Sequence, residues 1–128
     1  MRLLLDTHAL LWWGENNDRL SRNAAAVIDS GDHEVFVSAV SAMEIATKFR
    51  LGKLPSAGPL ALAFEDETAA AGFLPLSITL THARVAGSLA IPHKDPFDRL
   101  LIAQAQVEDM FLVSNETIFD GFGVGRLW

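Results

Sequence analysis

The chain has 128 residues, half of them hydrophobic and a fifth charged, with a formal net charge of -6 and no cysteine. That length suits one domain with a sizeable core, so residues 1–128 are expected to fold as a single unit, and the apolar balance excludes a disordered protein. The missing cysteines exclude disulfides and thiolate metal sites and fit a reducing cytoplasm, while no apolar run approaches the roughly 18 residues of a membrane span.

In chain order, Arg2-Leu-Leu-Leu5 reads as a short buried strand, cut off by Asp6-Thr7 too early for a signal-peptide core. Residues 7–13 suit a helix stopped by Gly14, and Ser21 caps a second helix to about Ser30. Val35 to Ser38 is a second strand, residues 41–51 a helix closed by Gly52, and Pro55 to Pro59 a loop. A helix over 60–71 leads to an extended Phe73-Leu-Pro-Leu76, whose proline suggests a sheet edge. Thr79 to Ala90 and 96–109 are further helices. They are followed by a strand at 111–113, a helical turn near 116–120 and a last strand near Gly125–Leu127. Strands alternating with helices predict an α/β sandwich around a mostly parallel sheet, with any ligand beyond the carboxyl ends of the strands.

Four acids occupy helix starts in this scheme: Asp6, Glu44, Asp98 and Glu116. Each has a plain structural reading. Asp6 can be an N-cap, Ser41 and Glu44 match the capping-box spacing, and Asp98 and Glu116 can complement positive helix ends. In Asp95-Pro-Phe-Asp98, Asp95 is the natural cap and Pro96 the first helical residue. The joint reading differs. Asp6 sits between three leucines and an apolar helix, where an unpaired charge is costly. Carboxylates gathered there repel one another unless a cation compensates, and all-oxygen ligands favour Mg2+ or Mn2+. Gathering four acids on one cation would also leave the remaining surface close to neutral, so the negative net charge does not exclude a nucleic-acid substrate.

The motifs bring a family into view. Leu3-Leu-Leu-Asp6-Thr-His-Ala-Leu-Leu-Trp12 resembles the opening of PIN-domain ribonucleases of the VapC toxin type. Ser38-Ala-Val-Ser-Ala-Met-Glu44-Ile-Ala-Thr-Lys48, with Gly52-Lys-Leu54 after it, is similar to their second motif. His93-Lys-Asp-Pro-Phe-Asp98-Arg-Leu-Leu-Ile-Ala-Gln-Ala105 is the closest match, to the third motif, and Leu112-Val-Ser-Asn-Glu116 through Phe119 to Gly123-Val124 resembles the fourth. The matches keep family order over nearly the whole chain.

The resemblance implies a PIN-like three-layer sandwich and a Mg2+- or Mn2+-dependent endoribonuclease, the toxin of a toxin–antitoxin pair. Asp6, Glu44, Asp98 and Glu116 would be its catalytic, metal-binding acids; Glu116 is a departure, because the family's fourth acid is usually aspartate. Asp95, Thr7 and Ser114 are possible accessory groups, with Ser41 a further hydroxyl beside the acids. His93, Lys94 and Arg99 are possible RNA contacts. Arg99 could equally form a surface salt bridge, and Lys48 falls one turn after Glu44, as in an ordinary helical ion pair. His8 reads as a packing residue beside the acids. Expected partners are RNA, a protein antitoxin and a second copy of the chain, in the cytoplasm and without a membrane.

Other readings fare worse. An aspartyl-phosphate phosphatase needs a second aspartate two positions after Asp6, where His8 stands, and no phosphate-binding glycine-rich loop is present. A non-catalytic PIN-like binding module is the remaining alternative, although such copies usually lose acids.

Overall fold

The computed structural model describes residues 1–128. Five strands form one sheet: β1 (Arg2–Leu5), β2 (Glu34–Ser38), β3 (Leu74–Leu76), β4 (Phe111–Val113) and β5 (Arg126–Leu127). Their order is β3-β2-β1-β4-β5, and every ladder is parallel. Seven helices flank it: α1 (Thr7–Gly14), α2 (Arg22–Asp29), α3 (Ala39–Arg50), α4 (Gly58–Leu62), α5 (Phe64–Ala70), α6 (Leu80–Ser88) and α7 (Pro96–Glu108). The architecture is the expected three-layer sandwich, with the sheet wholly rather than mostly parallel.

Each face of the sheet has its own core. Leu3, Leu5, Val35, Val37 and Val113 pack with α1, α2 and α3 through Leu10, Ile28 and Ile45. Leu4 and Leu112 face the other way, onto Leu101, Ile102 and Ala105 of α7 and onto Phe119. Successive strand residues point to opposite faces. Because both faces are covered, Leu3, Leu4 and Leu5 are all fully buried, and the strand reads as a continuous apolar run rather than an alternation.

The topology determines where a site can form. From β1 the chain steps outward to β2 and β3, then returns through α6 and α7 to lay β4 on the other side of β1. The winding direction therefore reverses between β1 and β4, and sheets of this kind bind ligands beyond the carboxyl ends of the strands at that point. Asp6 follows β1, and Ser114 and Glu116 follow β4. Pro75 lies in the edge strand β3, as its missing N–H requires.

Three local expectations change. Ser38 caps α3 by accepting from the Val40 N–H, so the helix begins at Ala39; Ser41 and Glu44 lie inside it and cannot form a capping box. Residues 55–57 form a 3-10 turn rather than plain loop. The single helix expected over 60–71 is two, broken at Ala63 with φ -141° and ψ 45°. Leu60, Ala61, Phe64 and Ala71 all reach the same core, so their periodicity conceals the break. The one local signal is the acidic Glu65-Asp66-Glu67, the charge pattern of a fresh helix N-terminus.

Candidate active site

Asp6 stands at the switch point, directly after β1. Its N–H donates to the Val113 carbonyl at 3.0 Å, continuing the β1–β4 ladder by one residue before α1 begins. It occupies the N-cap position of α1, yet its side chain makes no capping hydrogen bond. Instead its Oδ2 accepts from the Ser114 hydroxyl at 2.7 Å, across the switch from β1 to β4. The residue is only 3% exposed. Burial pushes its pKa up to about 6; the Ser114 bond and the positive charge of His8 oppose this, and the negative charge of Asp98 adds to it.

Ser114 is itself held in place. Its hydroxyl accepts from the Glu116 N–H at 3.0 Å, and its carbonyl accepts from Arg126 of β5, whose guanidinium also pairs with Asp120. Thr7 and Ser41, both buried, share a hydrogen bond of 2.9 Å that ties the start of α1 to α3. Glu44 lies one turn beyond Ser41, 5% exposed, and is paired with Lys48 as the four-residue spacing anticipates.

Asp98 stands in the first turn of α7 and accepts from His93 Nε2 at 2.7 Å. Its pKa is raised, chiefly by burial; the His93 hydrogen bond opposes the shift, while the charges of Asp95 and Glu44 reinforce it. The charge of Asp98 thus bears on Asp6, and that of Glu44 on Asp98. Asp95 caps α7, its Oδ1 accepting from the Phe97 and Asp98 N–H groups. Glu116 is exposed, at the start of the 3-10 turn Thr117–Gly121, with no capping bond from its side chain. Lys94 is exposed beside His93.

Arg99 corrects the sequence reading. Its guanidinium donates to the carbonyls of Ala86, Gly87, Leu89, Ile91 and His93 at 2.8–3.4 Å. Those five bonds use all five N–H donors of an arginine. It therefore neither forms a surface salt bridge nor offers a donor to a phosphate. It closes the carbonyl end of α6 and holds the loop that carries His93.

Sequence reasoning missed one supporting group. Gln104 of α7 is fully buried, accepts from the Ser38 hydroxyl and donates to the Ser77 carbonyl at 3.3 Å. It couples the cap of α3, the helix of Glu44, to α7, the helix of Asp98. The signal was a glutamine inside the apolar run Leu101-Ile-Ala-Gln-Ala105.

The donor set is all oxygen, which suits a hard dication, and Asp6 carries a buried charge countered by a single side-chain hydrogen bond. No three His, Asp or Glu side chains are close enough to share one ion. Mg2+ needs only one or two direct carboxylates, so the chemistry of these donors is compatible with it.

A wholly parallel 3-2-1-4-5 sheet with acids at the switch point is the arrangement of a PIN domain. The family model described as PIN domain matches residues 3–124, and the chain belongs to that family. Among its relatives are two proteins of Mycobacterium tuberculosis (strain ATCC 25618 / H37Rv). Ribonuclease VapC22 is 30% identical over 117 residues, covering 89% of this chain and 86% of that protein. Ribonuclease VapC16 is 38% identical over 66 residues, 49% of this chain and 47% of that protein, so this second match spans about half of either. Solved structures of similar fold include VapBC2 from Rickettsia felis bound to a DNA fragment from the promoter, with a TM-score of 0.67 and 12% identity over 100% of this chain and 99% of that one. A toxin–antitoxin complex from Klebsiella pneumoniae matches with a TM-score of 0.67 and 16% identity over 98% of this chain and 96% of that one. At those identities the likeness is one of fold. No helix of the chain is long and apolar enough to cross a membrane.

Proposed function

We propose that residues 1–128 act as one nuclease domain, a divalent-metal-dependent endoribonuclease that serves as the toxin of a toxin–antitoxin pair in the cytoplasm. The observation that carries this reading is the buried Asp6 carboxylate at the β1–β4 switch, oriented by Ser114 and sharing its surroundings with Asp98. Support comes from the family membership and from the ribonuclease names of the two relatives.

Asp6 and Asp98 would hold Mg2+ or Mn2+, with Glu44 and Glu116 further candidates that bind directly or through water. Such a cation supplies a Lewis acid for the scissile phosphate and favours ionisation of a bound water. The chain's own groups do the rest. Ser114 aims one oxygen of Asp6, His93 fixes one oxygen of Asp98, and the exposed Lys94 is free to meet an RNA phosphate. Water attacks phosphorus in line and the opposite P–O bond breaks, so no side chain becomes covalently attached. A protein antitoxin is the expected regulator, by likeness to the VapBC complexes, and a second copy of the chain the expected partner in solution.

The wild-type protein should cut single-stranded RNA with Mg2+ or Mn2+, EDTA should stop it, and Asp6→Ala and Asp98→Ala should be inactive while folded. Full cleavage by Asp6→Ala sinks the assignment. The rival is a PIN-like binding module without catalysis. RNA binding without cleavage across both metals would decide for it.

A further inference from the structure

Three of the acids each have one oxygen held by a neighbouring side chain. The Ser114 hydroxyl donates to Asp6 Oδ2, the His93 ring bonds Asp98 Oδ2, and the Lys48 ammonium donates to Glu44 Oε2. Lys48 is the only lysine or arginine bonded to any of the four candidate acids. The two arginines beside the site are committed elsewhere, Arg99 to five backbone carbonyls and Arg126 to Asp120 and the Ser114 carbonyl.

A lysine one turn after a glutamate is ordinary where both side chains stand in water, and there the pair is worth little. This pair differs. Glu44 is 5% exposed, whereas the Lys48 side chain keeps 33% of its surface in solvent. Glu44 Oε1 accepts no hydrogen bond and stays in contact with solvent. The charge of Glu44 also reaches Asp98. The carboxylate therefore belongs to the acidic group, while its counter-charge rides on a flexible stem that can swing into water. With Glu44 so engaged, no three acids come close enough to share one ion. A dication and the ammonium compete for this carboxylate, because each neutralises a charge that burial makes costly to leave alone.

We propose that Lys48 is the resident cation of the metal-free site: it neutralises Glu44 until a divalent metal takes over that charge, and the released ammonium then meets a phosphate of the RNA. This rests on the metal-dependent ribonuclease reading and gives it an order, metal before substrate. The released lysine supplies the positive charge that Arg99 is not free to give.

The test compares wild-type protein, Lys48→Met, Glu44→Gln and the double variant. Mn2+ binding is read first, without RNA, from the electron paramagnetic resonance signal of the free ion. Lys48→Met keeps the aliphatic stem and loses the charge, so it is expected to fold and to bind Mn2+ about fivefold more tightly. In the Glu44→Gln background the same change should alter affinity by less than about twofold, since no carboxylate is left to compete for. Equal tightening in both backgrounds would be a general field effect, and no tightening would make the pair purely structural; either overturns the proposal. At saturating Mn2+, cleavage of a short single-stranded RNA by Lys48→Met should show KM raised about fivefold and its salt dependence reduced by about 0.7 in slope, with Lys48→Arg restoring both. An unchanged KM in folded Lys48→Met likewise overturns the proposal while leaving the nuclease intact. Wild-type protein that binds no Mn2+, or cuts no RNA with it, overturns the metal-dependent ribonuclease reading itself.

Discussion

Replacing Arg99 by alanine removes a guanidinium from five carbonyls at once, those of residues 86, 87, 89, 91 and 93. A hydrogen bond to a charged group is worth about 1.5–3 kcal/mol, but these are not additive, because carbonyls near the surface regain water once the side chain is gone. Two of the five belong to the end of α6, which has no intrahelical partners for its last carbonyls. A net loss of about 2–4 kcal/mol follows, a large share of the roughly 5–15 kcal/mol that holds such a domain together. Urea unfolding followed by circular dichroism should show the midpoint falling by about 1–2 M at unchanged slope. Arg99→Lys should recover less than half, since lysine has three donors and no planar fork. The opposite result is equally definite. A normal midpoint for Arg99→Ala, with the salt dependence of RNA binding reduced by about 0.7 in slope, would make Arg99 a phosphate contact and refute the reasoning.

Asp6→Asn should stabilise the metal-free fold at pH 7 by up to about 3 kcal/mol, because the folded-state pKa of about 6 lies above the ordinary 3.8. The sign follows from linkage: the protonated form is favoured on folding, so wild-type stability is full below pH 4 and falls as pH rises through 6. The gap between the two proteins, measured by thermal unfolding in EDTA, should therefore close in acid. Ser114→Ala removes the donor that favours ionised Asp6, so in EDTA the pH below which stability depends on the Asp6 proton should move upward; an unmoved pH dependence of thermal unfolding would mean that Ser114 does not set the Asp6 ionisation. Gln104→Ala leaves the buried Ser38 hydroxyl short of an acceptor and opens a cavity, for a loss of about 2–4 kcal/mol by denaturant titration.

Much of the molecule is legible in the sequence, and the reasons are local. Leu3-Leu4-Leu5 could only be a strand buried on both sides, and Asp95-Pro96 states the start of α7 in the language of caps, as the bonds to Phe97 and Asp98 bear out. Ser21 capped α2 as expected, its hydroxyl accepting from Ala24. Where the reading slipped, two local signals competed. Ser38 and Ser41 could each cap α3, and the burial of Val40 in the core, which draws the helix start back to Ala39, decides between them. Unbroken periodicity from Leu60 to Ala71 hid the turn at Ala63, because both short helices present apolar residues to one core.

The sequence by itself determined the alternation of strands and helices, the acids at their junctions and the motif order that marks the family, since each depends on residues near one another in the chain. Which of those acids matter to each other was decided only in three dimensions. Asp6 meets Ser114 across 108 positions because parallel pairing lays β4 against β1 at the point where the winding reverses. Arg99 and Asp98 are adjacent in sequence yet have unrelated roles: the carboxylate turns to His93, while the guanidinium turns to carbonyls at the end of α6 and in the loop after it. Neighbouring helix positions point about 100° apart, and the surroundings found in each direction are a property of the fold alone.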